Sequence, residues 1–475
     1  MHIDIDRKSK MPITKQLYDA IKKRILNGNL HPDDKIVSSR KLSADLKISR
    51  NVALDAYNQL IAEGYLYTKD RSGVYVAAGA QHTMPENAAA PVQRKIIGLQ
   101  HEPQNGQIDF RTGIPNFSIF PKEKWGKLYR QICMDLPVNH LDYYEPRGCY
   151  ELRLQLSRYL YRVRGVKTSP DNILITSGAA QGFNLLVKHF SKINKTVLTE
   201  DPISYGITQI LSYYNMDINT LDVDENGMQT EMLTIDKYNS INPSLIFTTP
   251  SHQFPTGAIL PINRRIQLVN YAKAHGSYIV EDDYDSEFRY SGYPIASMHS
   301  LAPQSIIYLG TFTKMLFPAL RLGYTILPYK LIDDIMTAKY IGDLHSPVLE
   351  QITLARFIET GLLDRHVEVS RKYYNKKCEY LISQLENQFA GSINIFGHSG
   401  GIHLMVQFKN TDISDDVLID IEKAGILIKP AKDHYINNTA FNNCLLFGFG
   451  NASDENIERG VAKINNILSK RSSSL

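Results

Sequence analysis

Apolar residues recur at every fourth position near the start of the chain: Ile13, Leu17, Ile21 and Ile25, with Gly28 just beyond. That spacing stacks the side chains on one face and predicts an amphipathic helix ended by a glycine. Ser38 and Ser39 precede Leu42 and Leu46, the pattern of a short capped helix. Ser49 opens a third helix with the stripe Val52, Ala56 and Leu60, and Gly64 follows its end. Two strand-like pieces come next, residues 65–67 and 74–76, joined by Lys69-Asp70-Arg71-Ser72-Gly73. The predicted order is three helices and a β-hairpin within residues 1–78. Residues 79–107 are rich in Ala, Gln and Pro, show no sustained period, and read as a linker. From Ile108 to about residue 470, short apolar runs (173–175, 245–247, 278–280, 306–309) alternate with amphipathic stretches. That alternation predicts an α/β domain with a mostly parallel sheet.

A chain of 475 residues exceeds one ordinary core, in keeping with these segments. Hydrophobic and charged shares of 43% and 21% fit a water-soluble globular protein. No apolar run approaches the roughly 18 residues a membrane span needs, and MHIDIDRKSK has no apolar core of a secretory signal. The expected location is therefore the cytoplasm, with no membrane partner. Cys133, Cys149, Cys378 and Cys444 are far apart and match no paired zinc spacing, so they are expected to be buried free thiols. Residues 1–79 hold 14 Lys and Arg against 9 Asp and Glu, while the rest of the chain holds 39 against 40. The positive excess sits in the first sixth of the chain and favours a polyanion partner for that segment.

The short connection between the second and third helices suits a helix-turn-helix, whose third helix lies in the major groove with its N-terminal residues on base edges. Those residues are Ser49, Arg50 and Asn51; Arg pairs with guanine and Asn with adenine in bidentate fashion. Ser39, Arg40 and Lys41 open the second helix, placed for phosphates, and Arg71 and Gly73 form the hairpin tip. Pattern alone leaves a protein-interaction module with solvated basic residues open.

In the large segment three features carry chemistry. The first is Ile173 to Gly182 (ILITSGAAQG), a strand, a turn of small residues and a helix start. Small residues there let backbone N–H groups approach a phosphate. The second is Tyr278 to Asp285 (YIVEDDYD), where an apolar strand delivers four acids within five residues. All four are not expected to be buried, and a buried one needs a cationic partner. A protonated pyridine nitrogen is such a partner; a metal site or a solvated loop stays open from the residues alone. The third is Ile306 to Lys314 (IIYLGTFTK), with Arg321 seven residues on. A desolvated lysine becomes a Schiff-base nucleophile, and Thr311, Thr313 and Arg321 suit a phosphate ester.

Residues 12–77, above all SSRKLSADLKISRNVALDAYNQLIAEGYL, closely resemble the winged-helix domain of GntR-type regulators. Residues 108–465 resemble fold-type I aminotransferases; the markers are Gly113-Ile114-Pro115, residues 143–148 (YYEPRG), 249–257 (TPSHQFPTG) and 320–324 (LRLGY). The combination resembles the MocR subfamily of GntR regulators. The resemblance implies an N-terminal winged helix-turn-helix, then an α/β fold-type I domain for pyridoxal 5′-phosphate (PLP) with a smaller C-terminal α+β subdomain. It implies DNA contacts by Arg40, Arg50 and the Gly73 tip. It implies that Lys314 is the Schiff-base lysine, that Asp282 pairs with the pyridine nitrogen, that Tyr284 bonds the phenolic oxygen and that Tyr205 stacks on the ring. Ser177, Gly178, Ala179, Thr311, Thr313 and Arg321 would hold the phosphate.

Two departures bear on activity. The asparagine that would touch the cofactor in the Asn-Pro-x-Asn-Pro-Thr-Gly pattern is replaced, leaving His252 or Gln253 for that place. Residues 425–450 contain no arginine to hold a substrate carboxylate, only Lys429, Lys432 and His434. Members that sense GABA carry an arginine two residues past the tyrosine matching Tyr205; here Ile207 stands there. The expected protein is a homodimeric, PLP-dependent regulator that binds an operator in double-stranded DNA and senses a small amine, an amino acid or PLP itself. It is expected to be no metal protein and no enzyme. The alternative is a working aminotransferase with an appended DNA-binding domain.

Overall fold

A computed structural model describes residues 3–70, 72–80, 106–409, 411–437 and 441–472. The chain divides into two compact units, Met1–Gln100 and His101–Leu475. Most of the expected linker, residues 81–105, lies outside the described residues, as does Arg71.

The first unit has helices Ile13–Leu26, Ser39–Leu46 and Arg50–Ala62 and an antiparallel hairpin of Leu66–Lys69 with Gly73–Val76. The fourfold apolar spacing buries Leu17, Ile21 and Ile25 against Leu42, Ala56, Leu60, Leu66 and Val76. The third helix is rotated slightly from the expected stripe: Ala53 is buried and Val52 only half-buried. Ser38 and Ser49 cap the second and third helices, accepting hydrogen bonds from the Lys41 and Val52 amides at 3.3 and 3.4 Å. Between these helices Lys47 takes a left-handed conformation (φ 53°), and Ile48 N–H closes back on Ser43 O at 3.0 Å. The Arg7 guanidinium donates to the Leu46 and Lys47 carbonyls at 3.1 and 2.9 Å, satisfying helix-end acceptors.

The second unit is built on an eight-stranded sheet ordered Ile173–Thr176, Gly323–Ile326, Ile306–Thr311, Tyr278–Asp283, Leu245–Thr248, Thr196–Asp201, Asp217–Asp224, Gly227–Met228. Strand pairs in the middle are parallel, while Gly323–Ile326 runs antiparallel to both neighbours. The central strands are buried on both faces, which is why they read as unbroken apolar runs. Thr176, Asp201, Thr248, Asp283 and Thr311 therefore end at one edge of the sheet, where α/β proteins build ligand sites. A smaller subdomain pairs Ile393–Phe396, His403–Phe408, Cys444–Gly448 and Lys429–Pro430. Helices Leu362–Phe389, Asp415–Lys423 and Asp454–Ser472 share its apolar core.

Among the described residues no helix is long and apolar enough to cross a membrane. Cys149, Cys378 and Cys444 are buried free thiols, but Cys133 is exposed, contrary to expectation. It lies on helix Lys122–Asp135, which has no buried residue.

Candidate functional site

The acid-rich strand sorts its carboxylates by alternation, because successive side chains point to opposite faces. Glu281 and Asp283 share one face. Glu281 is fully buried and accepts from Ser297 Oγ at 2.7 Å and from the Met298 and His299 amides at 2.9 Å each. Asp283 pairs with Arg164 Nε at 2.8 Å, both nearly inaccessible, and accepts from the Tyr308 hydroxyl. Asp285, 1% exposed, faces His252 Nδ1 at 3.0 Å. Three of the four acids are thus buried and Asp282 is half-buried, in keeping with the expectation that not all four would be. The three tolerate burial because each has its own donors, so none is an isolated charge.

Asp282 points the other way. Its Oδ1 is buried and has no hydrogen-bond partner. Burial first, then the neighbouring charges of Asp283, Asp285 and Glu200, push its carboxyl up to about 7. Lys314 follows the adjacent strand, and its Nζ donates to the Gly113 carbonyl oxygen at 2.8 Å. Burial lowers the Lys314 pKa, opposed by Asp285 and Asp282, which favours the neutral amine that attacks carbonyls.

The turn after Ile173–Thr176 puts Gly178 at φ 113° immediately before helix Ala179–Phe190. Arg321, itself left-handed at φ 50°, donates through Nη2 to Ser177 O. A Cβ on Gly178 would lie 3.3 Å from Arg321 Nη2, and one on Gly323 2.7 Å from Gly178 Cα. Thr311 Oγ1 donates to Thr313 Oγ1 at 2.8 Å. Ser177, Gly178, Ala179 and Arg321 thus meet at one helix start, while Thr311 pairs across the sheet with Gly323, which packs on Gly178. Tyr205 is half exposed, and its amide donates to His434 Nδ1 at 3.1 Å. Burial drops His434 to about 4, leaving a neutral ring to accept that bond.

An unpartnered carboxylate oxygen, a lysine of lowered basicity and a glycine-lined helix start with an arginine match the ring nitrogen, aldehyde and phosphate of PLP. The donor set fits that cofactor.

Of the two residues expected to replace the missing asparagine, the structure separates one from the other. Gln253 is fully committed: its Nε2 donates to Pro202 O and Phe254 O at 2.8 Å each, and its Oε1 accepts from Thr256 Oγ1 at 2.7 Å. His252 instead lies 3.1 Å from the Tyr284 hydroxyl. Sequence reasoning missed Glu200, buried and accepting from Thr248 and Thr249 hydroxyls at 2.6 and 2.5 Å, and gave His403 no role. Their signal was weak, since both sit in apolar strands. His252, Asp285 and His403 bring one ligand-type atom each within 4.8 Å, but each already makes hydrogen bonds, His403 Nε2 to Pro255 O.

On the first unit, Arg40, Lys41, Ser49, Arg50, Asn51 and Gly73 are exposed and Ser39 half exposed. Ser49 Oγ is engaged as a helix cap, which leaves Arg50 and Asn51 as the free donors at that helix start. Gly73 (φ 126°) opens the second hairpin strand, and a Cβ there would approach Lys35 Cε to 3.0 Å.

Residues 13–76 match the model of bacterial regulatory proteins of the gntR family, and residues 116–464 that of aminotransferase class I and II. The HTH-type transcriptional regulator YhdI of Bacillus subtilis is 33% identical, covering 97% of this chain and 96% of its own. The probable rhizopine catabolism regulatory protein MocR of Rhizobium meliloti is 26% identical over 96% of this chain and 94% of its own. The pyridoxine biosynthesis regulator PdxR of Corynebacterium glutamicum is 29% identical over 96% of each.

The chain belongs to the MocR-type HTH transcription regulators.

The large unit of this MocR-type regulator has the aminotransferase fold. The kynurenine aminotransferase of Pyrococcus horikoshii matches it with a TM-score of 0.70 and 26% identity, covering 77% of this chain and 91% of that one. Met405, Ala431, Cys444 and Leu446 form an apolar cluster with Phe254, Phe396, Tyr435 and Phe441 packed against it. Ile207 is likewise buried and apolar.

Proposed function

We propose that this MocR-type regulator holds PLP on Lys314 and uses it to sense a small amine, an amino acid or PLP itself, changing how residues 1–78 engage an operator. Residues 79–107 act as the linker and residues 108–470 as the effector domain. The observation that carries the reading is the buried, partnerless Asp282 Oδ1 on the strand beside the one leading to Lys314. An ionised Asp282 pairs with a protonated ring nitrogen; Tyr284 donates to the phenolic oxygen, and Tyr205 covers the ring. Ser177, Gly178, Ala179, Thr311, Thr313 and Arg321 hold the phosphate with N–H, O–H and guanidinium donors. When bound, PLP supplies an aldehyde carbon that exchanges the lysine amine for an incoming one.

Sensing rather than turnover is supported by the lack of any arginine in residues 425–450 and by the apolar cluster that fills part of that region. The relative whose description names pyridoxine biosynthesis supports PLP as a candidate effector. A homodimer is supported by exposed apolar side chains on one stretch: Met134 at 79%, Val138 at 82%, Leu141 at 70% and Tyr143 at 81%. Such a run buried against a second copy removes apolar surface from water. Coupling to DNA requires that the effector bind two arrangements with different affinity.

The test combines absorption spectroscopy of the PLP-incubated protein, titration with a panel of small amines, and gel-shifts on its upstream region. Lys314→Ala is expected to abolish the visible band and the effector response of DNA binding. A normal response in that variant overturns the sensing reading. Steady turnover of an amino acid and a keto acid by the parent protein favours the aminotransferase alternative.

A further inference from the structure

One buried pair beside Lys314 has no part in the scheme above. His252 and Asp285 are 6% and 1% exposed. His252 Nδ1 lies 3.1 Å from Asp285 Oδ1, 3.0 Å from Oδ2 and 3.1 Å from the Tyr284 hydroxyl oxygen. A ring nitrogen set against both oxygens of an ionised carboxylate carries a proton, since otherwise lone pairs oppose lone pairs. A nitrogen that donates has no lone pair left for a second donor. The Tyr284 oxygen is then an acceptor beside Nδ1–H, and the tyrosine's own proton points away from His252. Among the described residues that hydroxyl has no other hydrogen-bond partner.

We propose that the Asp285–His252 pair is a positioning device that fixes the Tyr284 hydroxyl with its proton directed at the phenolic oxygen of the ring bound at Lys314 and Asp282. The inference rests on the PLP reading. It explains why a histidine and not an asparagine precedes Gln253: the ring acts on the tyrosine and not on the cofactor. The packing holds the pair in register. A Cβ on Gly401 would lie 2.3 Å from His252 Cε1 and 2.6 Å from Asp285 Oδ2, and one on Gly257 would lie 3.1 Å from His252 Nε2. The charged and titratable neighbours are Lys314, Asp283, Arg289 and His403. Burial draws the His252 pKa down, but the charge and hydrogen bond of Asp285 together with a Gly397 backbone hydrogen bond outweigh it, and the net shift is upward. His403, its ring 5.4 Å from that of His252, is pushed down to about 3 and stays neutral, so it does not compete for the Asp285 charge.

The experiment is a pH titration of the visible absorption of full-length, PLP-loaded protein, with thermal melting to monitor the fold. A hydrogen bond to the more negative form favours that form. Tyr284→Phe is therefore expected to raise the titration midpoint by about one pH unit. Asp285→Asn removes the charge that holds the proton on Nδ1, so the neutral ring can carry its proton on Nε2 and turn the Nδ1 lone pair to the tyrosine proton. Its midpoint is expected to rise toward that of Tyr284→Phe, and the double variant to add nothing more. His252→Asn, whose amide restores a donor near Nδ1, is expected to stay near the parent. His252→Leu frees the hydroxyl to turn and raises the midpoint less; it carries the test where Asp285→Asn does not fold. A parental midpoint in folded Asp285→Asn or His252→Leu, alongside a shifted Tyr284→Phe, overturns the positioning role. So does a His252→Asn shift as large as that of Tyr284→Phe. An unshifted Tyr284→Phe overturns this proposal and the placement of Tyr284 on the ring. Absence of any visible band in the parent instead overturns the PLP reading itself.

Discussion

Lys314 Nζ donates a 2.8 Å hydrogen bond to the Gly113 carbonyl oxygen, joining residues 201 positions apart in the chain. Gly113 has φ 77°, and a Cβ there would lie 2.3 Å from that nitrogen. Only glycine permits both the backbone turn and the approach. Gly113→Ala is expected to displace the lysine amine and to cost about 1–3 kcal/mol in stability from the strained backbone. PLP uptake, followed by visible absorption, should fall at least as sharply as the melting temperature. Full uptake at a parental rate would show that the lysine is not held by this contact.

Arg164 and Asp283 form a buried ion pair behind the acid-rich strand, and Arg164 Nη2 also donates to Ser251 Oγ at 2.7 Å. Removing one partner leaves the other charge buried and unpaired. Arg164→Ala is expected to destabilise the large unit by about 3–5 kcal/mol, and Arg164→Lys, which cannot reproduce the fork, to recover only part. Denaturant unfolding followed by tryptophan fluorescence reads the large unit alone, because Trp125 is the single tryptophan.

What the sequence made legible followed from strong local physics. The fourfold spacing of Ile13 to Ile25 and the doubly buried runs at 173–175 and 306–309 needed no tertiary information. Lys314 and Asp282 stood out as candidates because each follows such a run. Arg164 was not visible: it sits in the last turn of a helix, where basic residues usually meet solvent and the helix dipole, yet it is 4% exposed. Which of the four acids would be buried was not visible for the same reason, since Arg164 and His252, the partners of Asp283 and Asp285, come from distant segments. Gln253 looked available, but its amide is satisfied partly by its own loop and partly by the distant Pro202 carbonyl. Cys133 looked like a core thiol because composition cannot tell which helix face is covered.

Asp282 gives the protein without cofactor a pH signature. Its folded-state pKa is raised to about 7, so between roughly pH 4 and that value the folded state holds more protons than the unfolded one. Stability then falls as pH rises through that window and levels above it. Glu287, pushed to about 8, adds the same slope, while His403 and His434, lowered by burial, add the opposite one below their ordinary range. The comparison that isolates Asp282 is therefore with Asp282→Asn. The variant is expected to gain melting temperature relative to the parent as pH rises from about 4 to 7, and to lose PLP affinity. Parallel pH profiles for the two proteins would rule out a perturbed carboxyl at this position.

The proposed DNA contacts divide into candidate base-reading residues and candidate anchoring ones. Ser49 Oγ caps the third helix, so Ser49→Ala is expected to cost about 1 kcal/mol of head stability and to weaken all DNA sites alike. Arg50, exposed at the helix start with no engaged side chain, is placed to contact a base edge. Arg50→Ala should cost about 1–3 kcal/mol at the cognate operator and relax specificity at one base position. Lys41, exposed on the preceding helix, is expected to act on phosphate: Lys41→Ala should weaken cognate and random DNA together and reduce the salt slope by about one. Binding isotherms for both duplexes at several salt concentrations distinguish these outcomes. If Lys41→Ala alters base preference while Arg50→Ala changes only the salt slope, the helix does not enter the groove with the Arg50 end foremost.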